Sequence, residues 1–309
     1  MTPDEPKINS NPALQAYYAS AESVLGYNII LGGTRHFGYY EKDTYNPFPI
    51  GRSLRRMEEK LFDALHLTSG AKVLDAGCGN GHVARYMARK GLRVTGIDVV
   101  DRHVANARQI AAKSDLGGGS IEVHRMDYHH LESFADNSFD GVYTMETFVH
   151  ATDPDAVLAG FFHVLKPGAR VAMNEYDHTL KDSNDGDDED EDSIPEDLKR
   201  SQHQINEWSA MPTYAISKRG ALKEMLEKAG FVDVQVRDLS DNIRPMTRFF
   251  YLLAIVPFKI VSLLKLEKHF INTVAGVQSY RGYGLWRYIQ VTARKPEMPR
   301  LDPTTHGGT

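Results

Sequence analysis

Val73-Leu74-Asp75-Ala76-Gly77-Cys78-Gly79-Asn80-Gly81 decides how this chain is read, because an apolar strand runs into three glycines at alternate positions and a helical pattern opens at His82. A turn without Cβ atoms lets bare backbone approach a ligand at the mouth of a helix. The spacing is Gly-x-Gly-x-Gly, and His82 stands where the dinucleotide fingerprint requires its third glycine. A pyrophosphate seated on the helix N-terminus is therefore not the expected ligand.

On either side of this corner the pattern alternates. Strands are expected at Lys72 to Asp75, Leu92 to Asp98, Ile121 to Arg125, Phe139 to Met145 and Arg170 to Tyr176. Helices are expected at His82 to Lys90, Asp101 to Ala112 and Asp155 to Leu165, with Lys166-Pro167-Gly168 as a turn. Such repetition predicts an α/β fold with a parallel sheet covered by helices. Upstream, Leu54, Met57, Leu61 and Leu65 share one helical face. Downstream follow a helix at Ser217 to Ala229, a strand at Phe231 to Leu239, an apolar helical stretch and a last strand at Leu285 to Ala293.

Three acids fall in register with the glycines. Asp75 offers a carboxylate that phosphates would disfavour and an ammonium would welcome. Asp98 ends the second strand about 20 residues beyond the corner, where an acid accepts hydrogen bonds from ribose hydroxyls; Val99 beside it belongs to the same site. Asp127 follows the third strand and can accept from an exocyclic adenine amine, with Met126 and Tyr128 beside the ring. Together with Gly77, Gly79 and Gly81 these residues describe a site for adenosine carrying an amino acid. Cys78 reads as inert filling, since nothing marks it as a nucleophile with a base.

Composition narrows the class further. The chain has 309 residues and a formal net charge of −5, with no Lys/Arg block of the kind that holds nucleic acid. A single cysteine rules out an internal disulfide framework, and the polar, acidic and proline-bearing opening does not resemble a secretory signal. These features predict a cytoplasmic protein with no nucleic-acid partner. The run Phe249 to Leu264 falls short of a spanning helix and contains Pro257 and Lys259. It is read as a cover over a pocket, with peripheral contact at an internal membrane surface through 249–264 as the alternative. Asp187-Asp188-Glu189-Asp190-Glu191-Asp192 reads as a solvated loop, because consecutive acids cannot all point inward as metal ligands; no metal is expected.

The motifs resemble the class I S-adenosylmethionine-dependent methyltransferases from about Tyr17 to Lys295, with a closer likeness to the sterol and tocopherol methyltransferases. Three stretches carry that likeness: Tyr143-Thr144-Met145-Glu146-Thr147-Phe148-Val149-His150, Ile205-Asn206-Glu207-Trp208 leading to Ala229-Gly230-Phe231, and Gln290-Val291-Thr292-Ala293-Arg294-Lys295-Pro296. The resemblance implies a Rossmann-like seven-stranded methyltransferase sheet, mostly parallel with the last strand antiparallel, and S-adenosyl-L-methionine as cofactor. It divides the chain into a disordered N-terminus (1–15), a helical cap (16–66), the cofactor-binding core (67–180), an acidic loop and lid (181–216), the rest of the core with an apolar substrate cover (217–296) and a disordered tail (297–309).

By the same likeness, Glu146 and His150 line the acceptor pocket, and Gly32-Gly33-Thr34-Arg35-His36-Phe37-Gly38-Tyr39-Tyr40 is similar to the tocopherol-type segment covering the cofactor. Leu25-Gly26-Tyr27-Asn28 departs from the sterol-binding stretch, and Asp98 departs from the residue usual in the sterol enzymes. A small lipophilic acceptor of specialised metabolism is therefore expected ahead of a sterol or prenyl lipid. A hydroxyl or amine acceptor needs a base, for which His150, Glu146 and His36 are the candidates. Tyr17, Tyr18, Tyr27, Phe37, Tyr39 and Tyr40 offer ring faces to a sulfonium or carbocation. Arg248 to Phe270, Trp208 and Met211 are expected to wall the acceptor pocket. Two other readings remain: a non-catalytic cofactor-binding partner subunit, and a protein that uses the cofactor to trigger or template cyclisation of an unsaturated substrate.

Overall fold

A computed structural model describes residues 7–179 and 195–297. Three helices come first: α1 (Pro12–Ala19), α2 (Ala21–Leu31) and α3 (Ile50–Leu65). The alternating part runs β1 (Lys72–Ala76), α4 (His82–Arg89), β2 (Arg93–Asp98), α5 (Asp101–Lys113), β3 (Ser120–Arg125), β4 (Phe139–Met145), α6 (Pro154–Val164) and β5 (Leu165–His178). It continues with α7 (Glu196–Trp208), α8 (Pro212–Ile216), α9 (Ala221–Lys228), β6 (Val232–Asp238), α10 (Ser240–Leu263), α11 (Ile271–Arg281) and β7 (Trp286–Arg294).

The seven strands form one sheet in the order β3-β2-β1-β4-β5-β7-β6. β1 to β5 pair in parallel, and β7 lies antiparallel between β5 and β6. This is the expected sheet, with the last strand as the antiparallel one. Consecutive residues of a strand face opposite sides. Val73, Val94, Tyr143, Ala172 and Tyr288 accordingly pack with Met57, Leu61 and Leu65 of α3 and Met87 of α4. Their neighbours Leu74, Val142, Val171 and Ile289 pack with Leu158 and Phe161 of α6 and Leu226 of α9.

Strand order reverses direction between β1 and β4, and in open α/β sheets such a switch point leaves a crevice at the carboxyl ends of the strands. The glycine corner after β1 and Glu146 after β4 both sit there. Several helices begin on side-chain caps: Asn11 accepts from the Leu14 amide, Ser20 from Ser23, and Asp153 from Ala156 ahead of Pro154.

Some boundaries differ from the sequence reading. The N-terminal stretch expected to be disordered through residue 15 already forms α1 from Pro12, and the Asn9 amide donates to Asp127 Oδ2 at 2.9 Å. An anchor so far away in sequence leaves no local signal. β5 starts at Leu165, because Phe139 pairs with Leu165 and an irregularity before Gly141 absorbs the Lys166-Pro167-Gly168 turn. α10 is longer than the apolar run and holds Pro245 and Pro257 inside it. Its buried Ile243, Met246 and Thr247 fasten the first turns to the core, and α11 packs along it, Gly276 against Phe250 and Ala254, where proline alone would argue for a break. The acidic run 187–192 and the tail beyond 297 lie outside the described residues.

Candidate active site

The glycine corner is built by backbone that other residues adopt only under strain. Gly77, Gly79 and Gly81 have φ of +93°, +51° and +84°. A Cβ on Gly77 would stand 2.7 Å from Thr147, and one on Gly81 would stand 2.9 Å from Ala107 of α5. A Cβ on Gly79 would meet nothing within 4 Å, so the middle of the corner faces open space. That space is a cavity of about 100 Å³ lined by Asp75, Gly77, Gly79, Asp98, Val99, Asp127 and Tyr128 among others. The structure thus brings most of the expected cofactor residues to one chamber; Gly81 instead sits behind it, where it lets α4 and α5 approach.

Asp98 Oδ1 accepts from the Val100 amide at 2.8 Å, and Oδ2 takes a single hydrogen bond, from the Gly79 amide at 2.9 Å. Burial pushes its pKa up, but His103 and these two amides outweigh burial and hold the carboxyl below the usual range. It is an anion with an acceptor position to spare, which suits a ribose hydroxyl. Asp75 behaves differently. It is buried, Tyr143 Oη donates to its Oδ2 at 2.7 Å, and burial lifts its pKa to about 7 despite that bond. A nearby cation would restore its charge, as an ammonium group would. Asp127 is held below the normal range: burial raises it, while His129 and the Asn9 amide lower it further. Tyr128 Oη donates to the Thr147 carbonyl, which fixes its ring in the chamber wall.

A second chamber of about 370 Å³ adjoins the first. Tyr17, Tyr18, Tyr27 and Phe37 of the expected aromatic cluster line it, whereas Tyr39 and Tyr40 pack into the core. Phe250, Leu253, Ala254 and Pro257 of α10 and Met211 complete the wall as expected. The tryptophan in the wall is Trp286, at the head of β7, and not Trp208, which is half-buried elsewhere on α7. Tyr18, Arg35, His36, Glu146 and His150 line both chambers and so form the partition between them.

All three candidate bases stand in that partition, and each is already engaged. His150 Nδ1 lies 2.8 Å from the Ala210 carbonyl, which can only accept, so the proton is on Nδ1. Burial lowers its pKa to about 4, leaving the ring neutral, and its Nε2 lone pair takes the Tyr18 hydroxyl at 2.9 Å. Burial pushes the Tyr18 phenol far up, so it stays a donor. Glu146 adopts φ +58°, a costly conformation for glutamate. Its Oε1 accepts from the Phe37 amide and Tyr288 Oη, both at 2.8 Å, and its Oε2 from Tyr176 Oη. His36 Nδ1 donates to the Phe37 carbonyl, and Nε2 faces Glu58 at 3.6 Å. Burial works against its charge, yet Glu58 prevails and raises the pKa.

Three residues of the site escaped the sequence reading. Glu175 accepts from Thr144 Oγ1 and from the Thr147 and Phe148 amides, so it holds the turn carrying His150; burial lifts its pKa to about 7. An acid inside the apolar run of β5 was the signal for it. His103, one turn into α5, supports Asp98. Arg35 lay inside a quoted stretch, but nothing local marks where its side chain goes.

Comparison with known proteins now has a geometry to rest on. Residues 74–173 match the family model of the methyltransferase domain. The S-adenosyl-L-methionine-dependent Diels-Alderase iccD of Talaromyces variabilis is 47% identical over 92% of this chain and 95% of its own. Its counterpart iliD of Neonectria sp. (strain DH2) is 49% identical over 74% of this chain and 86% of its own. The chain belongs to the S-adenosyl-L-methionine-dependent methyltransferase family. Sterol C-methyltransferases are relatives at lower identity, such as the sterol 24-C-methyltransferase erg6 of Schizosaccharomyces pombe (strain 972 / ATCC 24843), 29% identical over 67% of this chain and 52% of its own. Among solved structures, that of the [4+2]-cyclase SpnF superposes with a TM-score of 0.66 over 90% of this chain and 98% of that one, at 23% identity. The family's cofactor fits the first chamber: an unfilled space over Gly79, an acceptor left on Asp98 Oδ2 and a carboxyl at Asp75 awaiting a cation.

Proposed function

We propose that this protein binds S-adenosyl-L-methionine in the first chamber and catalyses cycloaddition within a lipophilic polyene of specialised metabolism held in the second. The observation that carries the reading is the state of the partition. Methylation of oxygen or nitrogen needs a proton acceptor, and the groups nearest that role are already occupied in part: His150 Nε2 accepts from Tyr18, Glu146 accepts from the Phe37 amide, Tyr288 and Tyr176, and His36 Nε2 faces Glu58 without a hydrogen bond. A [4+2] cycloaddition needs none: two new σ bonds form as π bonds are consumed, and no proton or leaving group departs. The two relatives named as Diels-Alderases support the same reading.

What such a reaction requires from protein is a folded substrate conformer in a dry space. The second chamber offers Tyr17, Tyr27, Phe37, Phe250 and Trp286 as rigid walls. The cofactor, when bound, supplies a fixed positive sulfonium at the partition. Asp98 and the glycine corner would orient it, Tyr128 would stand beside its adenine, and the Tyr18–His150 hydrogen bond closes part of the partition.

A second reading keeps methyl transfer. The Tyr18 hydroxyl, hydrogen-bonded to neutral His150, is the one pair in the partition able to relay a proton from a hydroxyl acceptor. Incubation with the cofactor and extracts containing pathway intermediates separates the two. An isomer of unchanged mass with the cofactor intact is expected; a product heavier by one methylene with S-adenosylhomocysteine formed in step would overturn cycloaddition and install methylation.

A further inference from the structure

Arg35 is the member of the partition with a permanent positive charge. Its guanidinium lies between two rings, 4.9 Å from the Tyr18 centroid and 4.7 Å from that of Tyr27. Among the described residues its one hydrogen bond is long, Nη1 to Ser23 Oγ at 3.5 Å. Nε is buried and has no acceptor. Among the described residues no carboxylate pairs with it within 4.0 Å. A half-buried guanidinium with five donors and so little to bind is held ready for an oxygen that the chain itself does not provide.

We propose that Arg35 binds an oxygen of the substrate, so that the lipophilic ligand is an oxygenated polyene carrying a carbonyl, enolate or carboxylate at the partition. This rests on reading the second chamber as the substrate site. Of the two rings that aim the guanidinium, Tyr18 lines both chambers and Tyr27 the lipophilic one alone, which favours an oxygen on the substrate side. A guanidinium on a carbonyl conjugated with the reacting alkene draws electron density from that alkene and favours its addition to an electron-rich diene; no proton is transferred. The cofactor's carboxylate has the same chemistry and is the rival source.

The test uses the full chain with parinaric acid, a fluorescent polyene carboxylate, and the corresponding alcohol, alongside calorimetry with the cofactor. Wild type is expected to bind the acid at least tenfold more tightly than the alcohol. Arg35→Gln should erase that preference while alcohol and cofactor affinities stay within twofold, and Arg35→Lys should keep part of it. A tenfold loss of cofactor affinity with an unchanged acid preference would assign the oxygen to the cofactor and overturn the proposal. Unchanged binding of all three would make Arg35 a packing element. Failure of wild type to bind either polyene would instead overturn the reading of the second chamber.

A different surface carries a second inference. α10 exposes Leu252, Val256, Ile260 and Leu263 at 65, 65, 56 and 81%, a stripe at helical spacing. By length and composition this is a helix able to cross a membrane, yet Ile243, Met246 and Thr247 bury its first turns in the domain. Lys259, Lys265 and Lys268 stand exposed around the stripe with no ion-pair partner among the described residues. The other side of the helix walls the lipophilic chamber through Phe250, Ala254 and Pro257.

We infer that the stripe docks on an anionic membrane surface, from which an apolar ligand reaches the chamber behind it. Co-sedimentation with phosphatidylcholine vesicles should be weak, and phosphatidylserine should raise it severalfold in a salt-sensitive way. Val256→Asp with Ile260→Asp should abolish it without altering cofactor affinity. No binding to either vesicle would overturn the inference. So would a concentration-dependent dimer, seen in sedimentation velocity and lost in the same variant, which would make the stripe a contact between two copies.

Discussion

The two chambers that meet at Arg35 and His150 are built in opposite ways. The cofactor chamber takes its distinctive polar groups from one strand-to-helix corner and the ends of two neighbouring strands, which supply Gly77, Gly79, Asp75, Asp98 and Asp127. The lipophilic chamber is assembled from α2, α7, α10, α11 and β7, elements far apart in the chain, and its walls are mostly side chains without polar partners. The first specifies a ligand by hydrogen bonds, whose partners can be enumerated. The second specifies by shape, and shape depends on packing across the whole molecule.

That contrast is breakable by substitution, beginning with the largest effect. Asp98→Ala removes a charge-assisted acceptor worth about 3 kcal/mol, so cofactor affinity should fall roughly a hundredfold by calorimetry while parinaric acid still binds. If both ligands weaken together, the chambers are not separable. Asp75→Asn acts on stability with a definite sign. A folded-state pKa near 7 lies above the unfolded value, so stability is full below pH 4 and is lost as pH rises through 7. The amide avoids this, and the variant should be about 2 kcal/mol more stable than wild type in urea at pH 8, with the advantage gone by pH 4. It should also bind the cofactor less well, since the ammonium loses its counter-charge.

Smaller changes sharpen the division. Ala275→Phe, in the wall of the lipophilic chamber, should weaken polyene binding about tenfold, or roughly 1.4 kcal/mol, and leave cofactor affinity within twofold. Asn11→Ala removes the cap of α1 and should cost about 1 kcal/mol or less, visible as faster amide exchange confined to α1 rather than as global unfolding. Loss of protection across the sheet would show that α1 is part of the cooperative core.

The same division explains what the sequence disclosed. The corner, its three acids and every strand of the sheet were legible because glycine spacing and two-residue periodicity are local signals. Glu146, His150 and His36 were placed at the site by resemblance, but their engagement was not visible: the partners Tyr288, Ala210 and Glu58 come from other elements. Trp286 rather than Trp208 reached the wall because the antiparallel register of β7 with β5 sets Trp286 opposite His178, beside the chamber. α10 runs on toward Pro257 with α11 packed along it, Gly276 against Phe250 and Ala254, a contact between elements that no local pattern discloses.

The opening stretch has one last implication. Asn9 and Leu14 help line the first chamber, while Tyr17, Tyr27 and Ile30 help line the second. A single ceiling over two rooms cannot be raised above one without disturbing the other. Swapping the nucleoside at every turnover would flood the apolar room each time, whereas a tenant that stays through many cycles would leave it dry.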